Sequence, residues 1–117
     1  MSEMIEVERG VKLFVTENGT GKPLVMVHGW PVHHAMYEYQ SSWLPAHGFR
    51  CILLDLRGFG HSDKPWSGYS YDRLAEDIHV IVQKLRLDRF TLLGFSMGGA
   101  VAIRYASRYG GHGLERL

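Results

Sequence analysis

Phe90-Thr91-Leu92-Leu93-Gly94-Phe95-Ser96-Met97-Gly98-Gly99, continuing into Ala100-Val101-Ala102-Ile103-Arg104-Tyr105-Ala106, decides the fold. A short apolar run meets a serine flanked by glycines and passes at once into a helix-forming segment. That is the strand-turn-helix setting in which Gly-x-Ser-x-Gly forms a nucleophile elbow, and Ser96 is the nucleophile candidate. A serine on so sharp a turn has a strained backbone, and side chains two residues to either side would strike the neighbouring strand and helix. Gly94 and Gly98 leave that room. The helix onset also aims unpaired backbone N–H groups at the space beside the serine oxygen, where an acyl-transfer intermediate develops negative charge. The Met97 N–H is the first such donor.

Working back toward the N-terminus, Tyr71 to Leu87 places Leu74, Ile78, Ile81, Val82 and Leu85 on one helical face, with Asp72, Asp77, Lys84 and Arg86 directed away from it. Phe49 to Leu54 and Leu24 to His28 are unbroken apolar runs, as in buried parallel strands. A helix is expected between them, from about His34 to His47, with Pro45 near its end. Met4 to Glu17 alternates around Arg9-Gly10 as an antiparallel hairpin with Ile5, Val7, Val11, Leu13 and Val15 inward. Strand, helix and strand repeated after a hairpin give one α/β domain over residues 1–117 with a mostly parallel sheet.

Composition narrows the function. The 117 residues are 45% hydrophobic and 21% charged, and 13 basic against 12 acidic residues leave a net charge of +1 without a block of either sign. Nucleic acid and anionic membranes are therefore not expected partners, and a small molecule is. A single cysteine, Cys51, excludes an internal disulfide and thiol-based metal sites, and its place in an apolar strand marks it as a buried thiol. The acidic, alternating N-terminus does not read as a secretory signal, and no apolar run reaches membrane-spanning length, so a cytoplasmic protein is expected.

Three motifs, in order, carry a resemblance: His28-Gly29-Trp30-Pro31 after the third strand, Asp55-Leu56-Arg57-Gly58-Phe59-Gly60-His61-Ser62 after the fourth, and Gly94-Phe95-Ser96-Met97-Gly98-Gly99 after the fifth. With them the chain resembles, over its whole length, the N-terminal half of an α/β-hydrolase, and within that superfamily the bacterial arylesterases and cofactor-free haloperoxidases (perhydrolases). The resemblance implies a sheet of about five strands in the order 1-2-4-3-5, with strand 5 on an open edge and strands 6–8 and the cap lacking. It implies Ser96 as nucleophile and the backbone N–H groups of Met97 and Trp30 as the oxyanion hole. It makes the second motif chiefly structural and implies no cofactor. Members place the triad acid after strand 7 and the histidine after strand 8, so neither has a counterpart among the 21 residues after Ser96.

A serine without a base is a weak nucleophile. His28, His33, His34 and His61 lie at the same sheet edge as Ser96 and are the local substitutes to weigh. For His28, orienting the oxyanion loop outweighs a base role; His33, His34 and His61 read as solvated. His33 and His34 have no carboxylate or cysteine at ligand spacing in the sequence, so no metal is expected. Asp55 either caps the turn into Arg57-Gly58 or orients a histidine. Trp30 also offers a pocket wall, whereas Trp43 and Trp66 read as packing residues. Two functions follow: a carboxylesterase-type serine hydrolase for small esters, with perhydrolysis as the variant chemistry, or a catalytically inert half-domain. The hydrolase needs a base from a second polypeptide or from one of the local histidines, and the expected partner is a second copy in a homodimer or a complementing C-terminal half.

Overall fold

The computed structural model describes residues 2–30 and 32–117; Met1 and Pro31, the last residue of the first motif, lie outside them. The chain runs β1 (Ser2–Glu8), β2 (Val11–Asn18), β3 (Lys22–Val27), a 3-10 turn (His34–Tyr37), α1 (Glu38–Trp43), a second 3-10 turn (Leu44–His47) and β4 (Phe49–Leu54). It continues with α2 (Tyr71–Lys84), β5 (Phe90–Gly94), α3 (Met97–Tyr109) and β6 (Leu114–Arg116).

The hairpin forms as expected, turning at Gly10 with φ +81°, and β2 pairs antiparallel with β4. From there the sheet is parallel, and the full order is β1-β2-β4-β3-β5-β6. Continuous apolar runs are what central parallel strands require, because both of their faces are covered. Val25, Val27, Ile52, Leu54 and Leu92 face a core shared with α2 and α3. The alternate residues Leu24, Met26, Cys51 and Leu53 face a smaller cluster under the 3-10 turns, with Tyr37 and Leu44. Cys51 is buried, and that burial pushes its thiol pKa up.

Four expectations change. The sheet has six strands, since Leu114 and Arg116 pair with Phe90 and Thr91, so the outer edge of β5 is covered along its first half. The span expected as one helix between β3 and β4 is instead a single α-helical segment between two 3-10 turns. Helix α2 stops at Lys84, with Arg86 at φ +56°, rather than reaching Leu87. Asp77, assigned to the outer face of α2, is fully buried, because Arg57 lies beneath the helix and both Arg57 and Arg73 pair with it.

Among the described residues no helix is long and apolar enough to cross a membrane. Trp43 and Trp66 are not packing residues: Trp66 is fully exposed, and Trp43 is half exposed and stacks on His47 at a centroid distance of 3.9 Å.

Candidate active site

Ser96 lies one residue, Phe95, beyond β5 and immediately before the first residue of α3, and its backbone lies at φ 57°, ψ −116°. A non-glycine residue there is strained and persists only where its surroundings hold it. Those surroundings are close. A Cβ on Gly94 would meet the Gly98 carbonyl, and one on Gly98 would meet the carbonyls of Val27 and His28, so helix and strand approach through both glycines. The Val27 carbonyl also accepts the Phe95 N–H at 3.2 Å and the Tyr37 hydroxyl at 2.8 Å, pinning the end of β3 under the elbow. The serine is left exposed at the C-terminal edge of the sheet.

As the first residue of α3, Met97 has an N–H that no turn of its own helix can satisfy. Its side chain, with Trp30, Gly58, Phe59, Tyr69 and Leu74, lines a cleft of about 430 Å³. Trp30 is exposed, at 67% of its full accessibility, so its ring forms an open wall. A Cβ on Gly29 would come within 3.2 Å of the Ser96 Cβ, which places the loop carrying the Trp30 amide directly beside the serine. The structure thus brings Ser96, Met97 and the Trp30 loop to one place.

The histidines do not join them. His28 is fully buried; its Nδ1 donates to the Gly29 carbonyl at 2.8 Å, and its Nε2 accepts the Leu56 N–H at 2.9 Å. Burial pushes its pKa down, against the upward pull of the Gly29 carbonyl. With both nitrogens spent, His28 ties the loop after β3 to the end of β4 and has none left to take a proton.

Asp55 both caps the turn and orients a histidine. Its Oδ1 accepts the His34 N–H at 2.6 Å and lies 2.8 Å from His34 Nδ1, and its Oδ2 accepts the His61 N–H at 2.9 Å. Burial alone would raise its pKa, but the hydrogen bonds from the His61 and His34 amides and the His34 ring outweigh it, and the carboxylate stays below its ordinary range.

His34 is therefore a partner of Asp55 rather than a solvated ring, and it packs at a tilt against Phe14 of β2 and the His61 ring at centroid distances of 5.0 and 6.1 Å. Asp55 follows β4 while Ser96 follows β5, two strand spacings away, about 10 Å. Among the described residues no histidine hydrogen-bonds the Ser96 hydroxyl.

The second motif proves structural at Arg57 as well as at Asp55. Arg57, fully buried, holds Asp77 through Nε at 2.7 Å and through its second terminal nitrogen at 2.9 Å, and reaches Glu8 at 2.8 Å. Burial works against its charge, yet the bonds to Asp77 and Glu8 push its pKa up. The Asp55–His34 contact was invisible to spacing, because 21 residues and a strand separate the partners; only the strand order brings them to one edge.

A family model described as "alpha/beta hydrolase fold" matches residues 22–115. An AB hydrolase superfamily protein of Bacillus subtilis (strain 168) is 49% identical over 117 residues, covering 100% of this chain and 44% of that protein. An esterase from Exiguobacterium antarcticum superposes with a TM-score of 0.93 at 44% identity, over 97% of this chain and 42% of its own. A bromoperoxidase from Bacillus anthracis does so with a TM-score of 0.94 at 41% identity, over 98% of this chain and 42% of its own. The chain spans less than half the length of these relatives.

Proposed function

The chain belongs to the α/β-hydrolase family, and on that premise we propose that it is the nucleophile-bearing part of a carboxylesterase-type serine hydrolase acting on small esters. The observation that carries the reading is Ser96 held at φ 57° beside the Met97 and Trp30 cleft. Ser96 Oγ attacks the ester carbonyl carbon, and its proton passes to a base. The carbonyl oxygen becomes an oxyanion that accepts the Met97 and Trp30 N–H groups, each such donor lowering the barrier by about 3–4 kcal/mol. The tetrahedral intermediate then expels the alcohol, leaving an acyl-enzyme that water hydrolyses.

His28 has no free nitrogen and His34 is committed to Asp55. Neither His33 nor His61 hydrogen-bonds Ser96, so on this reading the base and the acid behind it come from outside these 117 residues, in the part of the relatives' length that the chain does not span. An epoxide hydrolase mechanism is disfavoured, since its relatives attack with a carboxylate where this chain has Ser96. Perhydrolysis is the variant chemistry, supported by the likeness to a bromoperoxidase.

Intact mass after incubation with a fluorophosphonate, with Ser96→Ala alongside, tests the proposal. Stoichiometric labelling of the chain together with its complementing half, lost in the variant, is expected. A folded complex that resists labelling counts against it.

The inert, self-associating reading has one observation in its favour. Among the described residues no strand pairs with the outer edge of β5 beyond Thr91, and Leu93 on it and Phe95 just after it are 39% and 57% exposed. Such an edge favours pairing with a second copy. Light scattering showing a monomer across micromolar concentrations would sink the homodimer.

A further inference from the structure

We propose that His33, His34 and Asp55 form a site for one zinc-like divalent transition metal, which clamps the loop carrying the Trp30 amide to the end of β4. Donor atoms of these three side chains all lie within 4.8 Å of one another. Two imidazoles and a carboxylate are a donor set that zinc accepts with a fourth position open to water. Nitrogen donors also favour zinc, nickel or copper over magnesium and calcium, which take oxygen.

Each donor is in a suitable state. Asp55 is fully buried and held as the anion by the two amides and the His34 ring, so a negative charge faces the two imidazoles. His34 Nδ1 already sits 2.8 Å from Asp55 Oδ1. The metal takes the place of the proton between them, and the imidazole carries its proton on Nε2 instead. His33 is the loose member. Its Nδ1 accepts the Ala35 N–H only at 3.5 Å, the outer limit of a hydrogen bond. Its ring lies 5.3 Å from that of His34, at 61°. Donors in a tetrahedral zinc site are about 3.4 Å apart, given bonds of about 2.1 Å, so the His34 ring withdraws from Asp55 by about 0.6 Å and a side-chain rotation of His33 closes the triangle.

The location gives the metal an effect. His33 and His34 close the loop that begins at Gly29, and Asp55 opens the loop that Leu56 fastens to His28. A metal bridging the two fastens His33 and His34, four and five residues after the Gly29 that abuts Ser96, to the end of β4. It acts as a clamp, since the cluster lies over β2 and β4, away from the serine.

Equilibrium dialysis of the full chain against Zn²⁺, with metal counted by mass spectrometry and the melting temperature read in parallel, tests this. One zinc per chain and a raised melting temperature are expected, with no effect of Mg²⁺ or Ca²⁺. His33→Ala weakens zinc binding by about tenfold or more, and His33→Cys, which keeps a ligand but not the imidazole, restores it. His112→Ala, which touches the separate His79–His112 pair, leaves it unchanged. Absence of bound zinc, affinity equal in His33→Ala and the parent chain, or zinc lost on His112→Ala would overturn the proposal.

Discussion

Arg57 and Asp77 are joined by two parallel hydrogen bonds, at 2.7 and 2.9 Å, with neither side chain exposed to solvent. One comes from the loop after β4 and the other from the middle of α2, so the pair fastens the loop flanking the cleft to the helix behind it. Removing one partner of such a pair strands the other's charge, at a cost of about 3–5 kcal/mol. Asp77→Ala leaves Arg57 only the partly exposed Glu8 and the Ser67 carbonyl, so it is expected to lower the unfolding free energy read from urea melts by about 3 kcal/mol, the lower end of that range. Asp72→Ala breaks only an exposed contact with Arg104 and Arg108, and no measurable shift is expected.

The two glycines after Met97 differ sharply. A Cβ at Gly98 would overlap the Val27 and His28 carbonyls, which are backbone, and the Val27 carbonyl already accepts the Phe95 N–H and the Tyr37 hydroxyl. Gly98→Ala is expected to cost about 1–3 kcal/mol through the forced shift of α3 from β3. At Gly99 the nearest atom is the Gly94 carbonyl oxygen at 3.5 Å, an ordinary contact. Gly99→Ala, in the first turn of a helix, should be neutral or stabilise by up to about 1 kcal/mol. Thermal melts of the two variants check the contrast.

Periodicity and motif carried most of this fold because the hairpin, the buried strands and the elbow each have a local cause. Ile5, Val7, Val11, Leu13 and Val15 alternate and all face inward, and Gly94 and Gly98 are glycine because of what they touch. What the sequence hid depends on pairings across the chain. Asp77 lies beside the apolar stripe of α2 by helical spacing, yet Arg57, twenty residues earlier, draws it into the interior. His34 meets Asp55 only because β4 lies between β2 and β3. The strand Leu114–Arg116 is too short for a periodic signal. Trp66 shows the opposite limit, a large apolar residue that composition assigns inward and the loop leaves in water.

Ser96 stores strain that glycine would not. At φ 57°, ψ −116° a β-carbon is disfavoured, and such residues cost about 1–3 kcal/mol. Ser96→Gly is expected to raise stability by about 1 kcal/mol, while Ser96→Ala, which keeps the Cβ, should not. Both abolish fluorophosphonate labelling. Equal midpoints for the two variants in urea would mean that the strain is absent.

Acid should weaken the fold through two histidines. Burial lowers the pKa of both His28 and His79 below the ordinary 6.5. His79 also stacks on Tyr109 at a centroid distance of 4.1 Å, with its Nδ1 buried and unpartnered, and His112 adds a further downward push. Below pH 6.5 the unfolded chain binds protons at these rings that the folded chain refuses, so stability rises with pH in that window. It is complete above 6.5 and is lost as pH falls toward the folded values. Urea midpoints measured from pH 7.5 down to about 5.5 should therefore fall. His79→Gln removes one of the two titrations and should flatten the slope. A slope that His79→Gln leaves unchanged would place the titration at His28 alone.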